Sequence, residues 1–142
     1  MQFPRPVMHG VCAVCSFGCC PTARSVSAGE IADRTALPAN QTAKILRELA
    51  VNGLLEARQG RRGGFRLARP LSQITVADVA RALGFENHRK NVRARIYTVD
   101  PGRVYAAHES LRGLRMRFWD LMENETLASL IGPHTEAATV CV

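Results

Sequence analysis

Residues 58–66 have the sequence Arg58-Gln59-Gly60-Arg61-Arg62-Gly63-Gly64-Phe65-Arg66. Glycine adopts positive φ easily and lets another backbone approach closely, so we interpret residues 54–58 and 65–68 as strands around a glycine-rich turn. From Arg58 to Arg69 there are five arginines and no acidic residue. Like charges at this density repel one another unless an anion lies alongside. The segment therefore predicts a short β-hairpin that contacts an anion such as a phosphate backbone.

Two helices are predicted before this hairpin. Ser27-Ala28-Gly29-Glu30 has the pattern of a capping box, which predicts a helix from Ala28 to about Thr35. Leu37-Pro38 interrupts it, because the residue before proline avoids helical geometry, and Pro38 can open the next helix. That second helix ends at Asn52-Gly53. Its apolar residues stand at helical spacing: Ile45, Leu46, Leu49 and Ala50.

The opposite face of the second helix carries Asn40, Lys44 and Arg47, spaced so that they share one stripe. An ordinary solvated helix face would have the same pattern. The basic hairpin that follows favours a binding face instead, because two helices and a hairpin in this order make a winged helix-turn-helix. The fold class we expect is mainly α with a small β-hairpin, and with a long C-terminal dimerisation helix.

The C-terminal half contains two more predicted helices. Thr75-Val76-Ala77-Asp78 is a second capping box, and it starts a helix that runs to about Leu83. A helix from about Arg103 to Glu123 carries a heptad stripe, typical of one helix against another. The stripe consists of Val104, Ala107, Leu111, Leu114, Phe118 and Leu121. Packing on its own domain is the alternative, but the narrow stripe favours a dimer seam.

These patterns divide the chain into four parts. We expect a winged helix-turn-helix domain, a linker or sensor loop, a dimerisation helix with a terminal turn, and a flexible tail, at residues 1–83, 84–101, 102–131 and 132–142.

The chain has 142 residues, 46% of them hydrophobic, and a formal net charge of +7. That charge favours an anionic partner, which could be nucleic acid, an anionic membrane or an acidic protein. No stretch approaches the roughly 20 apolar residues that span a bilayer, so we expect no membrane segment. The chain has five cysteines, and an odd number would leave at least one of them without a disulfide partner. We therefore expect a protein of the reducing cytoplasm rather than one held by disulfides. No catalytic motif is recognisable, which argues against an enzyme.

Four of the cysteines are crowded into residues 12–20. Cys12, Cys15 and Cys19 stand at i, i+3 and i+7, a spacing that would place them on one face if this segment forms a helix, and Cys20 follows directly. Small thiols could pack that helix against the core, or they could serve redox sensing or soft-metal binding. Four ligands from one straight helix, with His9 completing the set, would surround a zinc ion poorly, so no metal site is expected.

Residues 27–83 resemble the Rrf2 family of winged-helix transcriptional regulators, which contains iron-sulfur cluster regulators and nitric-oxide-sensing repressors. The matching segments are residues 26–32, 44–49, 53–55, 60–70 and 74–79, with 125–130 matching the usual C-terminal ending. The resemblance implies a homodimer joined through the long helix, which reads a palindromic operator in double-stranded DNA. A recognition helix would enter the major groove, and a wing would reach the minor groove.

The resemblance also implies the DNA-contacting residues. In the recognition helix they are Ala39, Asn40, Gln41, Lys44 and Arg47, and in the wing Arg58, Gly60, Arg61, Arg62 and Gly63. Gln41 could pair with adenine, and Arg47 would hold phosphate. The dimer contacts would come from Val104, Leu111, Leu114, Phe118 and Leu121.

The family's usual sensor is missing from this pattern. Many members bind an iron-sulfur cluster through three cysteines, but residues 84–110 contain no cysteine. Only His108 stands where some members keep a ligand, and one imidazole cannot hold a cluster. We therefore expect no cluster, and a small-molecule or redox effector instead. The expected function is a sequence-specific, repressor-type DNA-binding regulator. The alternative from another class is a winged-helix protein-interaction module.

Overall fold

The computed structural model describes residues 3–19, 24–85 and 101–132. It is mainly helical, with a two-stranded antiparallel sheet, as expected. Most of the predicted linker, at 86–100, and the predicted tail from residue 133 lie outside the described residues. The helices are α1 Arg5–Ser16, α2 Ala28–Thr35, α3 Ala39–Val51, α4 Val76–Ala82, α5 Pro101–Asn124 and α6 Leu127–Ile131, and the strands are β1 Leu55–Arg58 and β2 Gly64–Leu67. Short 3₁₀ turns lie at Phe17–Cys19 and Leu71–Gln73.

Helix α2 begins as predicted but uses its first acidic residue differently. The Ser27 hydroxyl accepts a hydrogen bond from the Glu30 amide at 3.2 Å, which caps the helix. The Glu30 carboxylate accepts from Arg34 at 2.7 Å and from Arg24 at 3.4 Å. The Glu30 side chain therefore pairs with two guanidinium groups, whereas a capping box would have it accept a hydrogen bond from the Ser27 backbone amide.

The turn between α2 and α3 is compact. Ala36 has a left-handed φ of 54°, which ends α2, and Pro38 then precedes the first residue of α3. Thr42 is buried in the first turn of α3, and its hydroxyl donates a hydrogen bond to the Pro38 carbonyl at 3.0 Å. This bond satisfies the buried hydroxyl. At the other end, Gly53 has a φ of 78°, as a glycine after a helix is expected to have.

The wing consists of β1 and β2, paired in the register Leu55 with Leu67 and Arg58 with Gly64. Strand β1 begins one residue later than predicted, at Leu55 instead of Leu54. Strand β2 begins and ends one residue earlier than predicted, since Gly64 is paired and Ala68 is not. A third segment joins the wing. Val26 and Phe65 exchange two backbone hydrogen bonds of 2.8 Å each, so the residue before α2 continues the sheet.

The core lies under α1, which packs against α2, α3 and α4. Its most deeply buried side chains come from every part of the winged helix, and they include Val14, Val26, Ile31, Leu46, Leu49, Ile74 and Leu127. Leu127 belongs to α6. The Val76 amide donates to the Glu125 carbonyl at 3.0 Å and the Leu127 amide to the Ile74 carbonyl at 2.8 Å. These two bonds attach the last helix to the segment that leads into α4.

Helix α4 has the predicted capping box, in which Thr75 and Asp78 exchange bonds of 3.0 and 3.1 Å. Near its end, Arg81 pairs with Glu123 on α5 and lies 5.4 Å from the Trp119 ring centroid. The Trp119 indole donates to the same Glu123 carboxylate at 2.8 Å. These contacts attach the long helix to the winged-helix core.

We predict that Gly64→Ala loosens the wing. Gly64 has a φ of 144°, and an added Cβ would overlap the Val26 carbonyl oxygen. Backbone strain together with overlap should lower the free energy of unfolding by about 2 kcal/mol or more. Urea unfolding followed by circular dichroism measures the change.

Gly113→Ala is the matched control. An added Cβ there meets no described atom within 4 Å, and alanine favours a helix interior by about 0.5–1 kcal/mol. The control should unfold at equal or higher urea. Equal stability of Gly64→Ala and the unchanged protein would show that the Val26 pairing does not constrain the wing.

Candidate nucleic-acid interface

The predicted recognition residues lie on the exposed face of α3. Ala39, Asn40, Gln41, Lys44 and Arg47 are all exposed, while the opposite face of the helix is buried in the core. The Lys44 ammonium lies 4.0 Å from the Glu48 carboxylate, and the Lys44 side chain is 78% exposed. A pair this long and this exposed leaves the ammonium free to bind another anion.

The tip of the wing depends on glycine. Gly60 has a φ of 107°, and the Gly63 amide donates to the Gly60 carbonyl at 2.9 Å. A side chain at Gly63 would overlap the carbonyl oxygens of Arg58 and Gly60. This tight turn places Arg61 and Arg62 at the exposed end of the hairpin.

The arginines of the hairpin fall into two groups. Arg66 pairs across the strands with Glu56, and its Nε donates to the carboxylate at 2.6 Å. Arg69 lies 3.5 Å from Asp78. The sequence reading therefore overestimated the unpaired positive charge of residues 58–69. The carboxylates that pair with Arg66 and Arg69 belong to Glu56 and Asp78, which lie outside that segment.

The second group of arginines keeps its charge available. Within the described ranges, Arg58, Arg61 and Arg62 have no carboxylate partner. All three are exposed. The uncompensated charge is thus concentrated toward the tip of the wing, where an anion can reach it.

A cleft of about 620 Å³ separates this tip from the start of α2. Arg58, Arg61 and Arg62 line it from the wing, and Arg24, Ser27 and Glu30 line it from the start of α2. The Glu30 carboxylate is paired there with Arg24 and Arg34. Arg24 was not among the predicted contacts, because it is brought beside the wing only by the backbone pairing of Val26, two residues further along the chain. Three wing arginines and a helix N-terminus in one cleft can bind a phosphate group.

The two groups of predicted contact residues line separate clefts. Gln41 and Lys44 line a second cleft, which also includes Ala36 at the end of α2. The wing cleft lies at the start of that helix. Helix α2, which has eight residues and is about 12 Å long, therefore lies between the two clefts.

The N-terminal cysteines that were predicted to share one helix do not all belong to α1. Helix α1 ends at Ser16, so Cys19 falls in the 3₁₀ turn that follows, and the prediction of a common stripe is wrong. The turn tightens where Gly18 comes close to Leu71, since a Cβ at Gly18 would lie 2.8 Å from the Leu71 Cδ1. Cys12 is exposed, and Cys15 is partly buried. Cys20 and the side chains of Cys19 and His108 lie outside the described residues.

A family model described as Rrf2, iron-dependent transcriptional regulator, matches residues 7–133. The HTH-type transcriptional regulator BadM of Rhodopseudomonas palustris is 37% identical over 79 residues, which are 56% of this chain and 50% of BadM. This chain therefore matches about half the length of that relative.

Solved structures show the same fold. T. potens IscR has a TM-score of 0.73 at 20% identity, covering 97% of this chain and 91% of IscR. CymR, the global cysteine regulator of B. subtilis, has a TM-score of 0.72 at 18% identity, covering 92% of this chain and 95% of CymR.

The fold and its basic wing define a winged-helix transcriptional regulator. With the family model matching most of its length, the chain belongs to the Rrf2 family. This family consists of transcriptional regulators rather than enzymes, as the sequence predicted. No helix in the described part is long and apolar enough to cross a membrane.

Within the part of the chain that the structure describes, the donor residues do not fit the iron-dependent chemistry in the family's description. Residues 84–110 contain no cysteine. Among residues 3–19, 24–85 and 101–132, no three His, Cys, Asp or Glu residues come together as a possible metal site. A cluster needs several thiolate ligands, so we derive no role for one.

Proposed function

We propose that the chain represses transcription as a homodimer bound to a palindromic operator in double-stranded DNA. The observation that carries this proposal is the set of three exposed wing arginines that have no carboxylate partner among the described residues. A polyanion is the partner that three uncompensated guanidinium groups at a hairpin tip fit best.

The two DNA-contacting elements have different tasks in this proposal. Helix α3 enters the major groove, where the Gln41 amide pairs with adenine and Arg47 holds phosphate. The wing lies along the adjacent minor groove, with Arg61 and Arg62 on the sugar-phosphate backbone. The wing therefore contributes affinity for any duplex, and α3 contributes the sequence preference.

The dimer is supported by the exposed apolar stripe of α5. Leu111, Leu114 and Leu121 are 65%, 56% and 69% exposed in the single chain. Large aliphatic side chains at heptad spacing are stabilised when a second helix covers them. Phe118 differs, since it is partly buried and its ring lies 5.2 Å from that of Phe3. The side chain of Val104 lies outside the described residues.

A two-fold dimer presents two copies of α3 and of the wing. Its operator would then have two half-sites about one helical turn apart, near 10 base pairs. Bound across a promoter in the cytoplasm, such a dimer would block access to the DNA. Its signal is then a small molecule or a redox change.

Salt dependence of binding tests the wing. Arg61→Ala with Arg62→Ala removes two phosphate contacts from each protomer and four from the dimer. The double variant should therefore bind all duplexes more weakly, and the slope of log affinity against log salt should become shallower by about 3–4. Fluorescence anisotropy with random and operator duplexes, between low and moderate salt, measures both effects.

The matched control is Arg112→Ala with Arg117→Ala, which removes the same charge from α5. It should leave the slope unchanged, because counterion release counts phosphate contacts and not net charge. An affinity of the unchanged protein that hardly varies with salt would contradict DNA binding and favour a protein-interaction module.

Gln41→Ala tests the recognition helix. The variant loses one bidentate pair in each half-site. It should therefore discriminate against the wrong base less strongly, by about 1–3 kcal/mol per half-site, and bind random duplex as before. Selection of bound sequences from a random pool, followed by titration of the best and mismatched sites, measures this. A uniform loss on all sequences would assign Gln41 to backbone contact.

Leu114→Glu tests the seam. A carboxylate buried between two helices is costly, so the variant should sediment as a monomer where the unchanged protein sediments as a dimer. Met116→Glu is the control, since Met116 is 46% exposed on the other side of α5. An unchanged sedimentation coefficient for Leu114→Glu would contradict the seam.

A further inference from the structure

A cleft of about 870 Å³ lies between α1 and α3, beside the end of α2. It is separate from the wing cleft. Sites for small molecules are concave, with volumes of roughly 300–1,000 Å³, an apolar interior and a few polar groups that orient the ligand. The volume is therefore suited to a small molecule, and the lining determines which kind.

The floor of this cleft is apolar. Ile45 is buried at 6% exposure, and Leu37, Leu83 and Phe85 are partly buried around it. A ligand with a hydrocarbon chain or ring would remove this surface from water, which favours binding in proportion to the apolar area covered. The sugar-phosphate backbone of DNA has no comparable apolar group to place there.

The rim of the cleft is polar and carries an excess of positive charge. Arg5 and His9 stand one turn apart on α1, and neither has a hydrogen-bond or ionic partner among the described residues. Lys44 and Glu48 face them from α3 and form only the long pair of 4.0 Å. Arg5 and Lys44 against Glu48 leave a net single positive charge, which a monoanion would balance.

We propose that this cleft binds a small monoanion with an apolar body, a carboxylate on an alkyl chain or a ring. Its apolar part covers Ile45 and Leu83, and its carboxylate lies between Arg5 and Lys44. This ligand site follows from the shape and the charges of the cleft and does not depend on DNA binding.

The same cleft connects a ligand to the DNA-contacting helix. Gln41 and Lys44 line it, and both belong to the proposed recognition face. A ligand that holds Lys44 withdraws it from phosphate, so ligand and DNA oppose each other's binding by the same factor. This regulatory half of the inference rests on the proposed function.

Methyl-detected NMR of the intact protein, with octanoate as the probe, tests the site without DNA. Octanoate should shift the methyl resonances of Leu37, Ile45 and Leu83 in a saturable way. Leu121 and Leu130 are internal controls, because they line only the adjoining apolar groove of about 540 Å³ between α1 and α5, which shares Phe3 and Met8 with the cleft. Octyltrimethylammonium, with the same chain and the opposite charge, should bind much more weakly.

Two outcomes of this titration would overturn the proposal. Shifts confined to Leu121 and Leu130 would mean that octanoate only covers the exposed groove. Equal binding of octanoate and octyltrimethylammonium would mean that the cationic rim does not select an anion.

Arg5→Gln tests the rim. It should weaken octanoate binding by about two- to fivefold, the size expected for one exposed ion pair, and leave binding to random duplex unchanged. Arg117→Gln, a cation elsewhere on the surface, should change neither. If Arg5→Gln instead shallows the salt slope for DNA and leaves octanoate binding unchanged, Arg5 contacts phosphate and the small-molecule site is wrong.

A competition experiment tests the regulatory half. Saturating octanoate should lower the affinity for operator duplex by about fivefold or more. Normal octanoate shifts with undiminished DNA affinity would keep the site and refute the coupling. Normal octanoate shifts in a protein with no salt-dependent DNA binding would refute the proposed function and leave the site in place.

Discussion

The pair of backbone hydrogen bonds between Val26 and Phe65, each 2.8 Å long, determines where the wing lies. A two-stranded hairpin is marginally stable by itself, so it needs a third segment or a helix to pack against. Val26 supplies that segment, and its side chain is fully buried in the core. The approach is close enough to exclude any side chain at Gly64. Because Ser27 caps α2 directly afterwards, the same pairing holds the arginine tip beside the start of that helix.

The distribution of charge follows from this placement. Arg66 lies opposite Glu56 in the ladder, and Arg69 lies near the capping box of α4, so both guanidinium groups are neutralised near the body of the protein. Arg61 and Arg62 extend beyond the reach of either carboxylate. The wing therefore has paired charges where it joins the rest of the protein and unpaired cations at its turn, where an anion can bind. Exposed ion pairs contribute little stability, so the division matters more for binding than for folding.

Much of the fold and of the interface could be predicted, because the signals are local. The capping box at Thr75, the break before Pro38 and the glycines of the wing each act within a few residues, through hydrogen bonds or steric limits of the backbone. The N-terminal cysteines show the limit of such patterns. Their spacing suits one helical face, but the helix ends at Ser16, where Gly18 packs closely on Leu71. That contact joins segments far apart in the chain, and no local pattern records it.

The sequence by itself determined the class of each element from α2 to α5, the exposed basic face of α3 and the cationic turn of the wing. The tertiary structure alone decided which charges remain free, that Arg24 joins the wing, and that a cleft with an apolar floor opens between α1 and α3. The physical reason is the range of the interactions. Helix caps and turns depend on neighbouring residues, whereas cross-strand ion pairs, the Val26 bridge and the walls of a cleft exist only after distant segments have packed around one core.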